Sequence, residues 1–250
     1  MGRDQHWSFS ANLDQLCEHP PRGHRYSNTE LSRLVAQRGG NITPGYLSLL
    51  RNGDRDNPTL EVLEHLAAAL DVCPAAFVGG RHERQGDEQP RRSFSARLVS
   101  LFSMVYPPGR GPWSPEEVAK AITAKATYGS ISASYLRELM TPSAGTLPNP
   151  RLKHVLALAD HFGLNREGQT QAAYFLDDVL AALIDAELGD FAALRSAGVL
   201  EFVTRLADQA PTWRPELREQ VVRAFTDAVR GDTDWVFRAP KPPTDWATGE

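Results

Sequence analysis

Apolar residues recur at three- and four-residue intervals in a series of short stretches, the spacing that lines one face of a helix. Phe9, Leu13, Leu16 and Cys17 share one such face, and Leu31, Leu34 and Val35 a second. Leu47 and Leu50 mark a third, and Leu60, Leu63, Leu66, Ala67 and Leu70 a fourth. Each stretch carries its own punctuation. Ser27 with Glu30 has the spacing of a capping box, and Gly39-Gly40 ends that helix. Thr43 caps the next, with Pro44 at its first position where the missing N–H costs nothing, and Gly53 stops it. Thr59 is placed to open the fourth.

The same series then returns. "SFSANLDQLC" at 8–17 is answered by "SFSARLVSLF" at 93–102, and "YSNTELSRLVAQ" at 26–37 by "WSPEEVAKAITA" at 113–124. "ITPGYLSLLRNGDRDNP" at 42–58 is answered by "ISASYLRELMTPSAGTLPNP" at 131–150, "LEVLEHLAAALDV" by "LKHVLALADHFGL", and "AAFV" at 75–78 by "AAYFL" at 172–176. Five matches in one order mark a duplication. The offset grows from 85 residues at Phe9/Phe94 to 92 at Pro58/Pro150, so the copies differ by small loop insertions. Ser114 with Glu117 repeats the capping box.

The expected class is therefore all-α, with copies at 1–78 and 93–176. Residues 79–92, "GGRHERQGDEQPRR", have no apolar side chain and predict a flexible linker. Residues 177–231 continue in helical pattern, with Pro215 opening a run of Leu217, Val221, Phe225 and Val229 and Gly231 ending it. Residues 232–250 mix Pro, Gly and charge and predict a disordered tail.

Composition changes this picture little, and charge changes it more. The chain has 250 residues, 41% hydrophobic and 23% charged, and no apolar run long enough to span a bilayer, so a membrane partner is not expected. No secretory signal is visible in "MGRDQHWSFS", which places the chain in the cytoplasm. Cys17 and Cys73 cannot make a disulfide framework, and the face that Cys17 shares predicts a buried, reduced thiol. His154 and His161 lie two turns apart but lack a third ligand, so packing is the expected role and no metal or other cofactor is anticipated. Neither a GxxxxGK phosphate loop nor a GxSxG nucleophile elbow occurs, which argues against an enzyme, and no small-molecule effector is evident. The net charge of −4 divides into −1 for residues 1–92, +3 for 93–176 and −6 for 177–250. The total thus hides a basic second copy, and a polyanionic partner is not excluded.

A capped helix, a short turn and a second capped helix over a buried stripe is the helix-turn-helix arrangement, whose second helix enters the DNA major groove. "ITPGYLSLLRNGDRDNPTLEVLEHLAAALDV" resembles the Cro/C1-type (XRE) helix-turn-helix family in its apolar-Thr-x-x-Tyr-apolar-Ser run, its Arg-x-Gly exit and its Asn-Pro before an Ala-rich helix. The second copy resembles that family with a longer exit loop. The resemblance implies two tandem lambda-repressor-like domains. "FSARLVSLFSMVYPPGRGPWSPEEVAKAI", "SASYLRELM" and "AAYFLDD" also resemble the EspR type of regulator, over roughly residues 93–230. That second resemblance implies nucleoid association, double-stranded DNA as partner and a homodimer formed through the helices of 177–230. The added helix-turn-helix in front departs from the type.

Helix geometry nominates the contacting residues. With Leu47 and Leu50 inward, the first copy offers Thr43, Pro44, Gly45, Tyr46, Ser48 and Leu49 to the groove, and Arg51, Arg55, Asn57 and Asn28 to phosphates. The second offers Ser132, Ser134, Tyr135, Arg137 and Glu138, with Asn149 beyond its exit loop. Arg137 has the fork that pairs with guanine, so the second copy is expected to supply more of the specificity. Tyr46 and Tyr135 equally suit packing on the neighbouring helix. The alternative to a regulator is a helical adaptor in which one or both copies no longer bind DNA and present apolar surface such as Leu49 to another protein.

Overall fold

The computed structural model describes residues 8–20, 23–107, 110–164 and 172–199, with Arg214, Glu216, Glu219 and Gln220. Among them the fold is all-α. Helices α1 (Phe9–Glu18), α2 (Asn28–Gln37), α3 (Pro44–Arg51) and α4 (Leu60–Leu70) precede a short 3-10 helix, Pro74–Val78. Then come α5 (Pro90–Met104), α6 (Pro115–Lys125), α7 (Ala133–Met140), α8 (Leu152–Phe162), α9 (Ala173–Leu176) and α10 (Asp178–Ser196). Apart from Glu216, Glu219 and Gln220, the run Pro215–Gly231 and the tail beyond it lie outside the described residues. The chain to Leu194 is one compact unit, and Arg195–Glu250 forms another.

The predicted apolar faces are the buried ones. Phe9, Leu13, Leu31, Val35, Leu47, Leu50, Leu60, Leu63, Leu66 and Leu70 are all at most 2% exposed. Their repeats Phe94, Leu98, Val118, Leu136, Leu139, Leu152 and Val155 are buried as well. The duplication extends to individual contacts. The rings of Phe9 and Phe77 meet at 5.8 Å in the first copy, and those of Phe94 and Phe175 at 5.0 Å in the second. Asn12 donates to the Phe77 carbonyl at 3.2 Å, and Arg97, at the matching position, to the Phe175 carbonyl at 3.4 Å. Cys17 is fully buried, and burial pushes its thiol up to about 11, which makes it inert as expected.

The caps differ in part from the sequence reading. Ser114 and Glu117 make the complete capping box. Ser27 accepts the Glu30 N–H at 3.2 Å, but the Glu30 carboxylate turns to His24 at 3.1 Å, so that box is only half made. Thr59 makes no side-chain cap at all. The oxygen that caps α4 comes from Asn149, which accepts the Glu61 N–H at 3.0 Å from the far copy.

Residues 79–92 are not a flexible linker. Their charged side chains, which look solvated in sequence, have partners on both flanks. Arg81 forks onto Asp177 with bonds of 2.9 and 2.8 Å and also binds Glu88; Glu88 and Asp177 are 3% and 2% exposed. Arg91 donates from its side chain to Glu61 at 2.8 Å and from its backbone to Glu64 at 2.7 Å. Gly80 lets this strap lie flat, because a Cβ there would stand 2.8 Å from that of Ala75 and 3.3 Å from that of Ala173. Burial pushes the Glu64 carboxyl from 4.5 up to about 7, although the Arg91 N–H and charge pull it down. Glu64 in the folded chain therefore keeps a proton between pH 4.5 and 7 that the unfolded chain has released. Its contribution to stability falls as pH rises through that window. Glu64→Gln, which keeps the acceptor, is expected to remove a loss on the order of 2 kcal/mol between pH 4.5 and 8. Urea denaturation of both proteins at the two pH values checks this.

Candidate nucleic-acid interface

Helices α3 and α7 occupy matching places, each packed on the helix before it and each carrying one outward face. Thr43 and Ser132 cap them, accepting the N–H of Tyr46 and Tyr135 at 3.2 Å in both cases. The first turn of each helix is open to solvent; the caps take the Tyr46 and Tyr135 N–H groups, and Pro44 has none, which leaves Gly45 in α3 and Ala133 and Ser134 in α7 with N–H groups unclaimed by the cap. On α3, Thr43, Pro44, Gly45 and Leu49 are exposed, while Tyr46 and Ser48 are half-buried. On α7, Ser132, Ser134, Arg137 and Glu138 are exposed. Ser48 and Leu49 match Arg137 and Glu138 in the repeat, so the second copy carries charge where the first is nearly neutral.

Arg137 pairs with Glu116 of α6, and their side chains are 55% and 57% exposed. An ion pair so open to water has little hold on its partners, and a phosphate or base edge can replace the carboxylate. Tyr135 lies edge-on to His154, ring centroids 5.2 Å apart, and burial raises its phenol. Its ring is thus the packing element that one of the two sequence readings expects, and Tyr46 likewise packs against the core. His161 sits between Trp113 at 5.2 Å and Phe162 at 5.0 Å. Burial lowers the pKa of both histidines, as suits neutral packing residues.

Four of the nominated residues are committed elsewhere. Arg51 donates to Asp14 at 2.9 Å, to Glu18 at 2.8 Å, to Asn28 at 3.0 Å and to the Tyr26 carbonyl at 3.4 Å. With its side chain 13% exposed, it rivets α3 to α1 and to the start of α2 and is not free to hold phosphate. Asn28 gives its oxygen to that rivet. Asn57 accepts the Lys153 N–H at 2.9 Å and so caps α8, just as Asn149 caps α4. Sequence reasoning missed this exchange. A signal was present, because position 151, where α8 needs a cap, is an arginine. Arg55, by contrast, is exposed and holds no ion pair among the described residues.

Cys73, Glu88 and Asp177 bring ligand atoms within 4.8 Å of one another. Arg81 already binds both carboxylates, so the positive charge that a metal would supply is taken by a guanidinium.

No family model matches the chain. Two curated proteins do, both named nucleoid-associated protein EspR, from Mycobacterium tuberculosis strains CDC 1551 / Oshkosh and ATCC 25618 / H37Rv. Each is 38% identical over 113 residues, which cover 45% of this chain and 77% of the relative. The chain belongs to the EspR family. The length aligned to EspR is too short to hold both copies of the repeat whole. Duplication therefore extends this chain beyond what it shares with those EspR proteins.

Proposed function

We propose that this chain is a DNA-binding, nucleoid-associated regulator with two helix-turn-helix domains, residues 1–78 and 93–176, that present α3 and α7 to the major groove. The observation that carries the reading is α7. It is capped at Ser132, buries Leu136 and Leu139, and turns Ser134, Arg137 and Glu138 outward in a chain of the EspR family. Ser132, Ser134 and the first-turn N–H groups suit phosphates, and Arg137 suits a guanine edge. In the first domain Thr43 and Ser48 serve as polar contacts, Leu49, 39% exposed, meets a thymine methyl, and Arg55 reaches the backbone. The C-terminal helices supply a homodimer contact. Val179 and Leu183, one turn apart on α10 and 40% and 55% exposed, support that part.

Arg137→Ala is expected to weaken binding to a preferred duplex roughly 10- to 100-fold and to relax the preference at one base pair. Fluorescence anisotropy at several salt concentrations tests both claims, because phosphate contact makes log K fall linearly with log salt. Binding that ignores salt, or an Arg137→Ala protein that binds like wild type, would sink the reading. The adaptor alternative draws on one observation, the exposed Leu49 on α3. It predicts no salt-dependent retention of any duplex.

A further inference from the structure

The two copies grip each other through matching residues. Asn57 of the first caps α8 of the second at Lys153, and Asn149 of the second, its counterpart in the repeat, caps α4 of the first at Glu61. The Leu60 N–H donates to the Pro150 carbonyl at 2.8 Å, and the Leu152 N–H donates to the Pro58 carbonyl at 2.8 Å. Thr59 and Arg151, also counterparts, form an antiparallel bridge between these bonds. Further along, the Pro74–Val78 turn packs against α9, its own counterpart. A contact set in which residue i meets j while the counterpart of j meets the counterpart of i is the signature of a two-fold axis. That axis passes between Thr59 and Arg151. The copies are thus related as the subunits of a symmetric dimer, inside one polypeptide.

We infer that a single chain reads two half-sites arranged as an inverted repeat at fixed spacing, with α3 on one and α7 on the other. This rests on the DNA-binding reading above. A duplex has two-fold axes perpendicular to its length, and a protein pair with the same symmetry engages it equivalently only by reading opposite strands. A direct repeat would need a translation between the copies, which the reciprocal bonds forbid. The chain lengths between these bonds and the two helices allow it. Asn57 lies six residues beyond the end of α3 and Asn149 nine beyond the end of α7. These segments span at most about 20 and 30 Å, which admits the roughly 34 Å between successive major grooves. The half-sites need not be identical, since Ser48 and Leu49 stand where α7 has Arg137 and Glu138.

Selection from a random 40-base-pair library by the full-length protein, followed by sequencing, tests the inference. The expected product is two half-sites in inverted orientation at one spacing. Direct repeats, isolated half-sites or variable spacing overturn the inference while leaving DNA binding intact. Failure to enrich any sequence overturns it too, and if no duplex is retained even at low salt the regulator reading falls with it. The Asn57→Ala, Asn149→Ala double variant, checked for wild-type helix content by circular dichroism, provides the second measurement. It is expected to lose 10-fold or more in affinity for the selected site while binding a single half-site as wild type does. An equal loss on the single half-site would mean that these asparagines touch DNA directly, and would overturn the assignment of their role.

Discussion

Arg81→Ala is expected to cost about 3–5 kcal/mol of folding stability, the largest effect of any single substitution considered for this chain. Among the described residues the guanidinium is the sole partner of a Glu88 oxygen, and it neutralises two carboxylates that are almost wholly removed from water. Glu88 Oε2 already lacks a partner among the described residues, so without Arg81 the whole carboxylate would be buried and uncompensated. Asp177 would keep only the Val179 and Leu180 N–H groups that it caps at the start of α10. Urea denaturation at pH 7 measures the loss, and adding Glu88→Gln to Arg81→Ala is expected to return part of it. The sign with pH is also fixed. Burial pushes the Asp177 carboxyl up, but Arg81 and the two N–H groups outweigh it and hold the pKa below its ordinary 3.8. Its share of the stability is present above that value and fades as pH falls through the lower, folded one. The gap between wild type and Arg81→Ala should therefore narrow in acid below about pH 4. An undiminished gap there would assign the cost to packing instead of charge.

Arg51→Ala is expected to lose about 2–4 kcal/mol, and the duplication supplies an internal control for the cause. In the second copy the places of Asp14, Glu18 and Arg51 are taken by Val99, 43% exposed, by exposed Ser103 and by Met140, which packs against the core, so that copy does without the ionic cluster. Transplanting all three, as Asp14→Val, Glu18→Ser and Arg51→Met together, is expected to fall within about 1 kcal/mol of wild type, since buried charge networks are often replaceable as a unit. Chemical denaturation of the single and triple variants separates the two outcomes. A triple variant as unstable as Arg51→Ala would show that the surrounding seam depends on the charges themselves.

How much of this was legible beforehand follows from the range of each interaction. The helices, their buried faces and the duplication were readable because periodicity and capping are local, and a repeat is visible by comparison alone. Thr43 and Ser114 cap as expected because their partners lie three residues away, and Ser132, at the place of Thr43, caps in the same way. What escaped was every bond spanning tens of residues. The strap at 79–92 looks like a linker because its partners Glu61, Glu64 and Asp177 are outside it, and a charge with a distant partner has the same local pattern as a solvated one. Arg51 escaped similarly, with Asp14 and Glu18 more than thirty residues back. Asn57 and Asn149 satisfy helices 96 and 88 residues away in the chain, so an Asn-Pro that reads as a DNA-facing turn is instead spent on the opposite copy. The outward residues of α7, by contrast, follow from helix geometry once Leu136 and Leu139 are fixed inward.

The exchanged caps have a thermodynamic consequence. Two separate subunits joined by the same contacts would come apart on sufficient dilution, because their pairing obeys mass action. Tethered in one polypeptide, the halves face each other at an effective concentration that no change in cellular abundance alters. The pairing of the two copies therefore holds at a few molecules per cell as it does in concentrated solution.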